Sequence, residues 1–356
     1  MIFMRFLKKN ISIAVSLFYC NMIVSQNCIV YYPSDAGLPA NTFNVIGSIV
    51  IDKQNTKWLA CFSGGFVKFN DTIWNLLNLP SSWAGDVAID TSGIKWVAGG
   101  ILEKYSDTLP VGGAFPFGDT WQYAEKIEID KENDNKWVYV RKQYGPSGTA
   151  TLAKFDGQNW SGIFGGSDTS MKFLKMQQPN FIWCHWSYSP VNITRIETTT
   201  LDKKNYFLPD TPLFHSLKSI AFEENFVWIG GINEIIRLDT NNETWSFFNP
   251  ANSGFPSGAL VSNVIVDSFS NKWLGSKIGL IKFSSDNFTV FNTSNSCIPS
   301  DTIIPHAIDL NNDLWCSVPG AIVRISGLVN STISATEKKD EFQIYPNPSS
   351  SKFTII

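Results

Sequence analysis

The chain has 356 residues and a formal net charge of −3, and only 17% of its residues are charged. Apolar residues make up 44% and aromatic residues 14%, with 13 tryptophans. This composition supports a large core and favours an extracellular β-protein over a cytosolic α/β enzyme. Because the body of the chain has no run of lysine or arginine, it lacks the electrostatic footprint of a nucleic-acid-binding protein.

Residues 1–25 are predicted to be a secretory signal peptide. Three basic residues near the start precede the apolar stretch Ile11–Val24, which is too short to span a bilayer stably. We expect cleavage near Ser25 or Gln26, no lipid anchor, and no transmembrane segment after cleavage. The alternative interpretation is a short buried strand or an anchor.

Five cysteines follow the predicted cleavage site, and an odd number leaves at least one free thiol. They are Cys28, Cys61, Cys184, Cys297 and Cys316. Their spacing contains no CxxC and no zinc pattern. We interpret them as small buried hydrophobic residues, with room for one disulfide.

Seven tryptophans recur at intervals of 38 to 46 residues along the chain: Trp58, Trp96, Trp137, Trp183, Trp228, Trp273 and Trp315. Around each one, a short apolar strand ends in a polar turn, and a second apolar strand follows. This period is typical of a β-propeller, in which each indole fills the wedge between neighbouring sheets. Residues 26–327 are therefore predicted to form an all-β, seven-bladed propeller of four-stranded antiparallel blades.

An aspartate ends the first strand of five repeats. It lies six residues before the tryptophan at Asp52, Asp90, Asp267 and Asp309, and seven before it at Asp130. Aspartate in such a gap forms turns by bonding its own backbone. In blades four and five, Met176 and Phe222 stand near this place. The segment after Asp130 is only superficially like a calcium loop, because the required glycine and terminal glutamate are missing. We predict no metal and no cofactor.

The last blade shows how the ring is expected to close. Ala321–Ile325 is its predicted third strand, and no fourth strand follows. The segment at the mature N-terminus has the same pattern as the fourth strands of earlier blades. We therefore predict that Ile29–Tyr32 completes blade seven and removes the exposed edges.

The unit I-x-I-D-x-x-x-x-K-W-[LV], followed by a glycine loop and an apolar–basic strand, resembles the two-component-regulator propeller repeat. That repeat builds the extracellular sensor portions of many Bacteroidetes hybrid histidine kinases and also freestanding secreted propellers. The resemblance covers about residues 28–325 and implies the propeller fold. No kinase region follows in this chain, so we do not carry the sensor-kinase role over to it.

The C-terminal segment EFQIYPNPSSSKFTII (341–356) resembles the opening of the C-terminal sorting domain of the type IX (Por) secretion system. The motif residues are Tyr345, Pro346, Asn347 and Pro348. The resemblance implies a truncated β-sandwich-type domain after a linker at 328–340. It also implies the type IX secretion machinery as a partner and a secreted or outer-membrane surface location.

Propellers bind ligands on the face that carries the loops between blades and between second and third strands. The candidate ligand-binding residues on these loops are Trp83, Arg141, Tyr144, His185, Trp186, Tyr188 and His215. Aromatic side chains beside polar groups suit stacking on a glycan or on a protein ligand. The alternative is that they pack under long loops.

Catalysis has little support in the sequence. It contains no Ser-His-Asp order and no HExxH motif, and His306 stands in a first-strand position where we expect it to be buried. The leading hypothesis is a non-catalytic binding module. One alternative is an extracellular polysaccharide lyase or glycosidase that uses His185 and Tyr188 as an acid–base pair. Another is a freestanding ligand-sensing propeller.

Overall fold

The computed structural model describes residues 26–77, 79, 83–107, 110–114, 122–142, 149–167, 171–186, 192–209 and 217–329. Within these ranges the strands form seven four-stranded antiparallel sheets. The predicted all-β, seven-bladed propeller is therefore confirmed. The predicted signal peptide (1–25) and the sorting motif lie outside the described residues, as does all of the predicted linker except 328–329.

The strands follow one another in chain order, four to a blade. Blades 1 to 3 contain β2 (Ile46–Ile51), β3 (Lys57–Cys61), β4 (Gly65–Phe69), β5 (Trp74–Leu77), β6 (Ala84–Ile89), β7 (Lys95–Gly99), β8 (Leu102–Tyr105), β9 (Pro110–Ala114), β10 (Gln122–Ile129), β11 (Lys136–Lys142), β12 (Thr149–Phe155) and β13 (Trp160–Ser167). Blades 4 and 5 contain β14 (Met171–Gln177), β15 (Phe181–Trp186), β16 (Asn192–Glu197), β17 (Lys203–Phe207), β18 (Ser219–Glu223), β19 (Phe226–Gly230), β20 (Ile235–Asp239) and β21 (Thr244–Phe248). Blades 6 and 7 contain β22 (Val264–Val266), β23 (Lys272–Leu274), β24 (Leu280–Ser284), β25 (Asn287–Phe291), β26 (Ile304–Ile308), β27 (Leu314–Val318), β28 (Ala321–Ser326) and the N-terminal strand β1 (Asn27–Tyr31).

The first strand of each blade lies innermost. These first strands contact one another from blade to blade around the central axis. We call the face where the first strands begin the upper face. Because the strands alternate in direction, the upper face also carries the loops between blades and the loops between second and third strands. The lower face carries the hairpins that join first and second strands.

The N-terminal strand closes the ring as predicted. It pairs antiparallel with β28, from Asn27 opposite Ser326 to Tyr31 opposite Ile322. Because blade 7 takes its fourth strand from the other end of the described chain, the two ends hold each other in place. The pairing with β1 gives hydrogen-bond partners to the backbone groups of β28, which would otherwise be an exposed edge strand.

A disulfide reinforces the same closure. Cys28 on β1 is bonded to Cys297 in the loop that leads from blade 6 to blade 7. The bond joins positions 269 residues apart in sequence. Cys61, Cys184 and Cys316 are free and buried, as predicted. Cys28 is half-buried and Cys297 is exposed, and these two form the one disulfide for which the sequence left room.

The repeated tryptophans form the core between blades, as predicted. Five of them have no exposed surface, and Trp96 and Trp228 are 3% exposed. On the neighbouring third strand a lysine or arginine stands directly opposite each tryptophan, as Lys104 does opposite Trp96. The Lys104 ammonium lies 4.5 Å from the Trp96 ring centroid. The alternation of apolar and basic residues in the third strands therefore places a cation over six of these indoles. At Trp315 the cation over the ring is Lys57 of blade 1.

The repeated aspartates form turns, as predicted, and four of the five also bind the indole of their own blade. Asp52 Oδ1 accepts the backbone N–H groups of Gln54 and Thr56. Asp52 Oδ2 accepts the indole N–H of Trp58 at 2.8 Å. The same bond to the indole occurs at Asp90, Asp267 and Asp309.

Other side chains replace this aspartate in blades 4 and 5. Gln177 accepts the indole N–H of Trp183 at 2.8 Å, and Glu223 accepts that of Trp228 at 2.7 Å. The repeat alignment places Met176 and Phe222 near this position, but the residues that take the role of the aspartate are the next ones along the chain, Gln177 and Glu223. In blade 3, where the spacing to Asp130 is one residue longer, the buried indole nitrogen of Trp137 has no hydrogen-bond partner among the described residues.

The lysine that precedes the tryptophan joins adjacent blades. In blade 1, Lys57 Nζ lies 3.2 Å from Asp309 Oδ2 of blade 7 and 4.9 Å from the Trp315 ring centroid. In blade 6, Lys272 Nζ lies 2.9 Å from Glu223 of blade 5. In both of these Lys-Trp pairs the lysine therefore binds the carboxylate of the preceding blade, and the tryptophan packs in the core of its own blade.

Candidate functional site

A central channel of about 440 Å³ runs between the first strands. Two glycines on the upper side allow these strands to approach closely. A Cβ built on Gly47 would lie 1.9 Å from the carbonyl oxygen of Gly85, which is far inside van der Waals contact. Because only glycine fits at this contact, blades 1 and 2 meet directly at the rim of the channel.

Three lysines line the upper part of the channel in three successive blades. Lys126 of blade 3 stands two residues above Glu128, which pairs with the repeat tryptophan. In blade 4, Lys172 is the bulged residue between Met171 and Phe173. Lys218 of blade 5 directly precedes β18. We call Lys126, Lys172 and Lys218 the mouth lysines. Lys172 and Lys218 lie at the start of their first strands, and Lys126 is the fifth residue of β10.

The carboxylates that line the channel are already bound to other groups. Asp86 accepts the backbone N–H groups of Val87 and Ile127, the second of which belongs to blade 3. Glu128 accepts a hydrogen bond of 2.8 Å from Lys175, and this carboxylate raises the pKa of Lys175. The ammonium groups of the mouth lysines form no hydrogen bond or ion pair with the described residues, so within these ranges their charge has no direct partner.

An aromatic cluster stands on the upper face next to the channel. Phe62, in the loop between β3 and β4, stacks on Trp83 with ring centroids 5.8 Å apart and planes 8° apart. Tyr123 lies on the other side, 6.1 Å from Trp83. Phe62 keeps 44% of its surface exposed. We call Phe62, Trp83 and Tyr123 the aromatic shelf.

The shelf and the channel meet at Gly85. A Cβ on this residue would lie 3.1 Å from Trp83 Cζ3 and 3.3 Å from the carbonyl oxygen of Glu125. Glu125 directly precedes Lys126 in the chain. The aromatic surface and the first of the mouth lysines therefore border the same part of the rim.

Two predicted site residues lie in this region. Trp83 is half-buried within the shelf. Arg141, at the upper end of β11, is exposed and forms an ion pair with Glu125. The structure thus places Trp83 and Arg141 in the same upper sector, although one comes from the loop before blade 2 and the other from blade 3.

His185 and Trp186 are not loop residues, which corrects the sequence prediction of their place. Both belong to strand β15 and are 4% and 3% exposed, respectively. His185 Nδ1 lies 2.6 Å from the carbonyl oxygen of Asn192, and burial lowers the pKa of the imidazole. The Trp186 ring packs edge-on against Tyr139. The other candidates, Tyr144, Tyr188 and His215, lie outside the described residues.

His306 differs from the expectation that it is buried like its counterparts. A β-bulge between Pro305 and Ala307 shifts the register, so the half-buried imidazole lines the channel. Its Nε2 lies 2.9 Å from Ser317 Oγ. Desolvation lowers the pKa of His306 to about 4, so the ring is neutral near pH 7.

The sequence reasoning missed Phe62, Tyr123 and the mouth lysines. One signal was available for the lysines, because they stand 11, 11 and 10 residues before the repeat tryptophans of blades 3, 4 and 5. A second, smaller cleft of about 300 Å³ lies between blades 5 and 6 beside Arg237 and Phe269. In the part of the chain that the structure describes, no three His, Cys, Asp or Glu side chains are grouped so that they could hold a metal ion. Across the same ranges, no helix has the length and apolarity to cross a bilayer.

The fold defines the class of this protein as a seven-bladed β-propeller. No family model and no curated protein matches the chain. Among solved structures it is similar to PorZ, an essential bacterial surface component of the type-IX secretion system of Porphyromonas gingivalis. The TM-score is 0.64 at 16% identity, over 86% of this chain and 49% of that one.

Two further structures are similar. One is the extracellular domain of a putative hybrid two-component system from B. thetaiotaomicron, with a TM-score of 0.60 at 12% identity over 80% of this chain and 38% of that one. The other is a streptogramin B lyase, with a TM-score of 0.61 at 15% identity over 84% and 97% of the two chains. This chain spans about half of PorZ and less of the two-component protein. At such identities the likeness shows the fold alone.

Proposed function

We propose that this chain is a secreted or cell-surface propeller that binds a ligand on its upper face without catalysing a reaction. The aromatic shelf carries the proposal. Phe62 and Trp83 form a flat stacked pair that is partly open to solvent at the rim of a polar channel. Aromatic surfaces beside a few polar groups are typical of binding sites.

Three observations support an extracellular location. The N-terminal segment has the pattern of a signal peptide, and the Cys28–Cys297 disulfide is a bond that persists in oxidising compartments. The similar structures include a surface component and an extracellular domain. Export by a type IX-like system is part of the proposal and depends on the motif at Tyr345–Pro348.

The polysaccharide-cleaving alternative is less well supported. It assigns acid–base catalysis to His185, but this imidazole is buried and its Nδ1 is occupied by the Asn192 carbonyl. A general acid or base has to reach the reacting proton directly or through one water. We therefore favour binding without turnover.

The test uses the mature chain, residues 26–356, and a panel of plant, algal and host polysaccharides. We expect a thermal shift with at least one glycan and no release of reducing or unsaturated ends. Phe62→Ala and Trp83→Ala should reduce the shift. Phe207→Ala is the matched control, because Phe207 is 53% exposed but lies on an outer strand.

Three outcomes distinguish the hypotheses. Product release would refute the non-catalytic proposal, and His185→Ala would then be tested first. A shift that both shelf variants retain would refute the shelf as the site. If no glycan gives a shift or a product, glycan binding is refuted and a protein ligand becomes the hypothesis to test.

A further inference from the structure

We propose that the ligand is an anionic oligosaccharide whose sugar ring stacks on the aromatic shelf and whose acidic groups bind the mouth lysines. This inference rests on the proposed binding function and names its ligand class. The juxtaposition that carries it is a flat aromatic surface and three lysines around one rim whose ammonium groups have no partner among the described residues. The acidic groups are carboxylates of uronic acids or sulfate esters.

Charge is the first step of the argument. Five lysines line the channel against two carboxylates. Both carboxylates are engaged, Asp86 by backbone N–H groups and Glu128 by Lys175. The positive charges of the mouth lysines therefore face one another across a partly enclosed space. A cleft lined by charges of one sign focuses the electrostatic field toward its opening. A ligand that supplies negative charge there removes this repulsion.

Spacing is the second step. The mouth lysines belong to three neighbouring blades and line the same channel, Lys172 and Lys218 at the upper end of their first strands and Lys126 in the middle of β10. An ammonium group binds an anion as a flexible point charge, so three such groups around a rim suit several separate anionic groups. An oligosaccharide with one acidic group on each ring presents charges in this way.

The shelf is the third step, and it favours a sugar over an acidic peptide. Glu125 and Gly85 bring the Trp83 indole next to the strand that carries Lys126. A sugar unit has an apolar ring face to place on Phe62 and an acidic group to place on Lys126. An acidic peptide side chain supplies the charge without that ring face. The combination therefore favours an anionic sugar.

The experiment measures binding by calorimetry to the mature chain. The probes are an oligogalacturonate, a sulfated galactan oligosaccharide, a neutral galactan oligosaccharide of equal length, and poly-glutamate. We expect at least one anionic sugar to bind at least about tenfold more tightly than the neutral one. Its affinity should fall as salt is added, because exposed charge pairs are screened. The two anionic probes distinguish carboxylate from sulfate recognition.

The test variant replaces the mouth lysines with glutamine: Lys126→Gln, Lys172→Gln and Lys218→Gln. We expect at least about tenfold weaker binding of the anionic sugar, with an unchanged or raised melting temperature because repulsion is removed. The control variant removes the same charge away from the channel mouth: Lys53→Gln, Lys203→Gln and Lys204→Gln. It should keep wild-type affinity at the same salt concentration.

Several results would overturn the inference. Equal affinity for neutral and anionic sugars, or wild-type affinity in the mouth variant, would refute anion recognition and leave the binding module standing. Binding of poly-glutamate without binding of any sugar would refute the sugar assignment. If no sugar binds, the inference fails, and a silent glycan panel in the separate thermal-shift test would remove glycan binding from the proposed function as well.

Discussion

The seam between blades 7 and 1 offers a sharp test of how the ring is held together. Asp309 accepts hydrogen bonds from the Trp315 indole and from backbone N–H groups of its own turn. Lys57 approaches the same carboxylate from blade 1, and neither side chain has any exposed surface. Burial opposes ionisation of Asp309, but these hydrogen bonds and Lys57 hold its pKa below the usual value.

The change Asp309→Asn keeps the size of the side chain and its turn-forming oxygen. It removes the charge facing Lys57 and replaces the oxygen that accepts the indole N–H. Removing one partner of a buried pair costs about 3–5 kcal/mol, and an unsatisfied indole adds about 1–3 kcal/mol. Lys57 keeps a second partner, Asp71, at 2.6 Å, which offsets part of the loss. We expect a net loss of about 3 kcal/mol in the free energy of unfolding.

The matched control is Asp130→Asn in blade 3. Asp130 accepts hydrogen bonds from Glu132 and Asn133 in its turn. In the part of the chain that the structure describes, no indole and no lysine of the next blade forms a hydrogen bond or ion pair with it. We expect a cost below about 1 kcal/mol, typical of a turn contact. Thermal unfolding followed by circular dichroism should show Asp309→Asn melting roughly 6–12 °C below the wild-type protein and at least roughly 4 °C below the control, at about 2–4 °C per kcal/mol.

A melting temperature for Asp309→Asn within about 2 °C of the control would refute this reasoning. It would mean that the indole and the lysine contribute little beyond the turn itself. The repeat aspartate would then be a turn residue only, as its sequence position suggests.

Three further changes test the fold. Replacing Cys28 and Cys297 with serine should cost about 3–5 kcal/mol in chemical denaturation, because the disulfide closes a long loop, and reductant should then have no further effect. Burial lowers the pKa of His306 from 6.5 to about 4, so the folded protein favours the neutral imidazole. This contribution to stability is complete above pH 6.5 and is lost as the pH falls toward 4. His306→Asn should therefore flatten the dependence of the free energy of unfolding on pH between about pH 6.5 and 4. Gly47→Ala should prevent folding or cost more than about 3 kcal/mol, because its Cβ would meet the Gly85 backbone at 1.9 Å; a folded variant with an unchanged melting temperature would contradict the close approach.

The fold could be predicted because its energetic unit repeats in the sequence. Tryptophan, lysine and aspartate return at fixed spacing, and one buried indole per blade sets the number of blades. The closing strand was also predictable, since Ile29–Tyr32 has the pattern of earlier fourth strands and pairs with β28. What the spacing did not reveal is the link between blades, because Lys57 and Asp309 are 252 residues apart in the chain and meet only when the ring closes.

The candidate site was harder to predict, because loop exposure does not follow from residue type. His185 and Trp186 have polar and aromatic groups typical of binding loops, yet β15 continues through them and buries both. Phe62 has the opposite outcome, since it follows a fully buried strand and projects into solvent. Burial at these positions depends on where a strand ends, and strand ends are the least certain part of a sequence prediction.

The distribution of non-repeating residues explains why function would lie on one sector of this ring. The hairpins of the lower face carry the repeated carboxylates, and their side chains are used to bind indoles and neighbouring blades. On the upper face these constraints are relaxed, so the channel-lining residues in or beside the first strands include Ser48 and Asp86 in blades 1 and 2 and the mouth lysines in blades 3 to 5. Ser48 and Asp86 bind the backbone of the next blade. Within the described ranges the side chains of the mouth lysines make no such link, so their charge is available to a ligand. The aromatic shelf borders them on the side of blades 1 to 3.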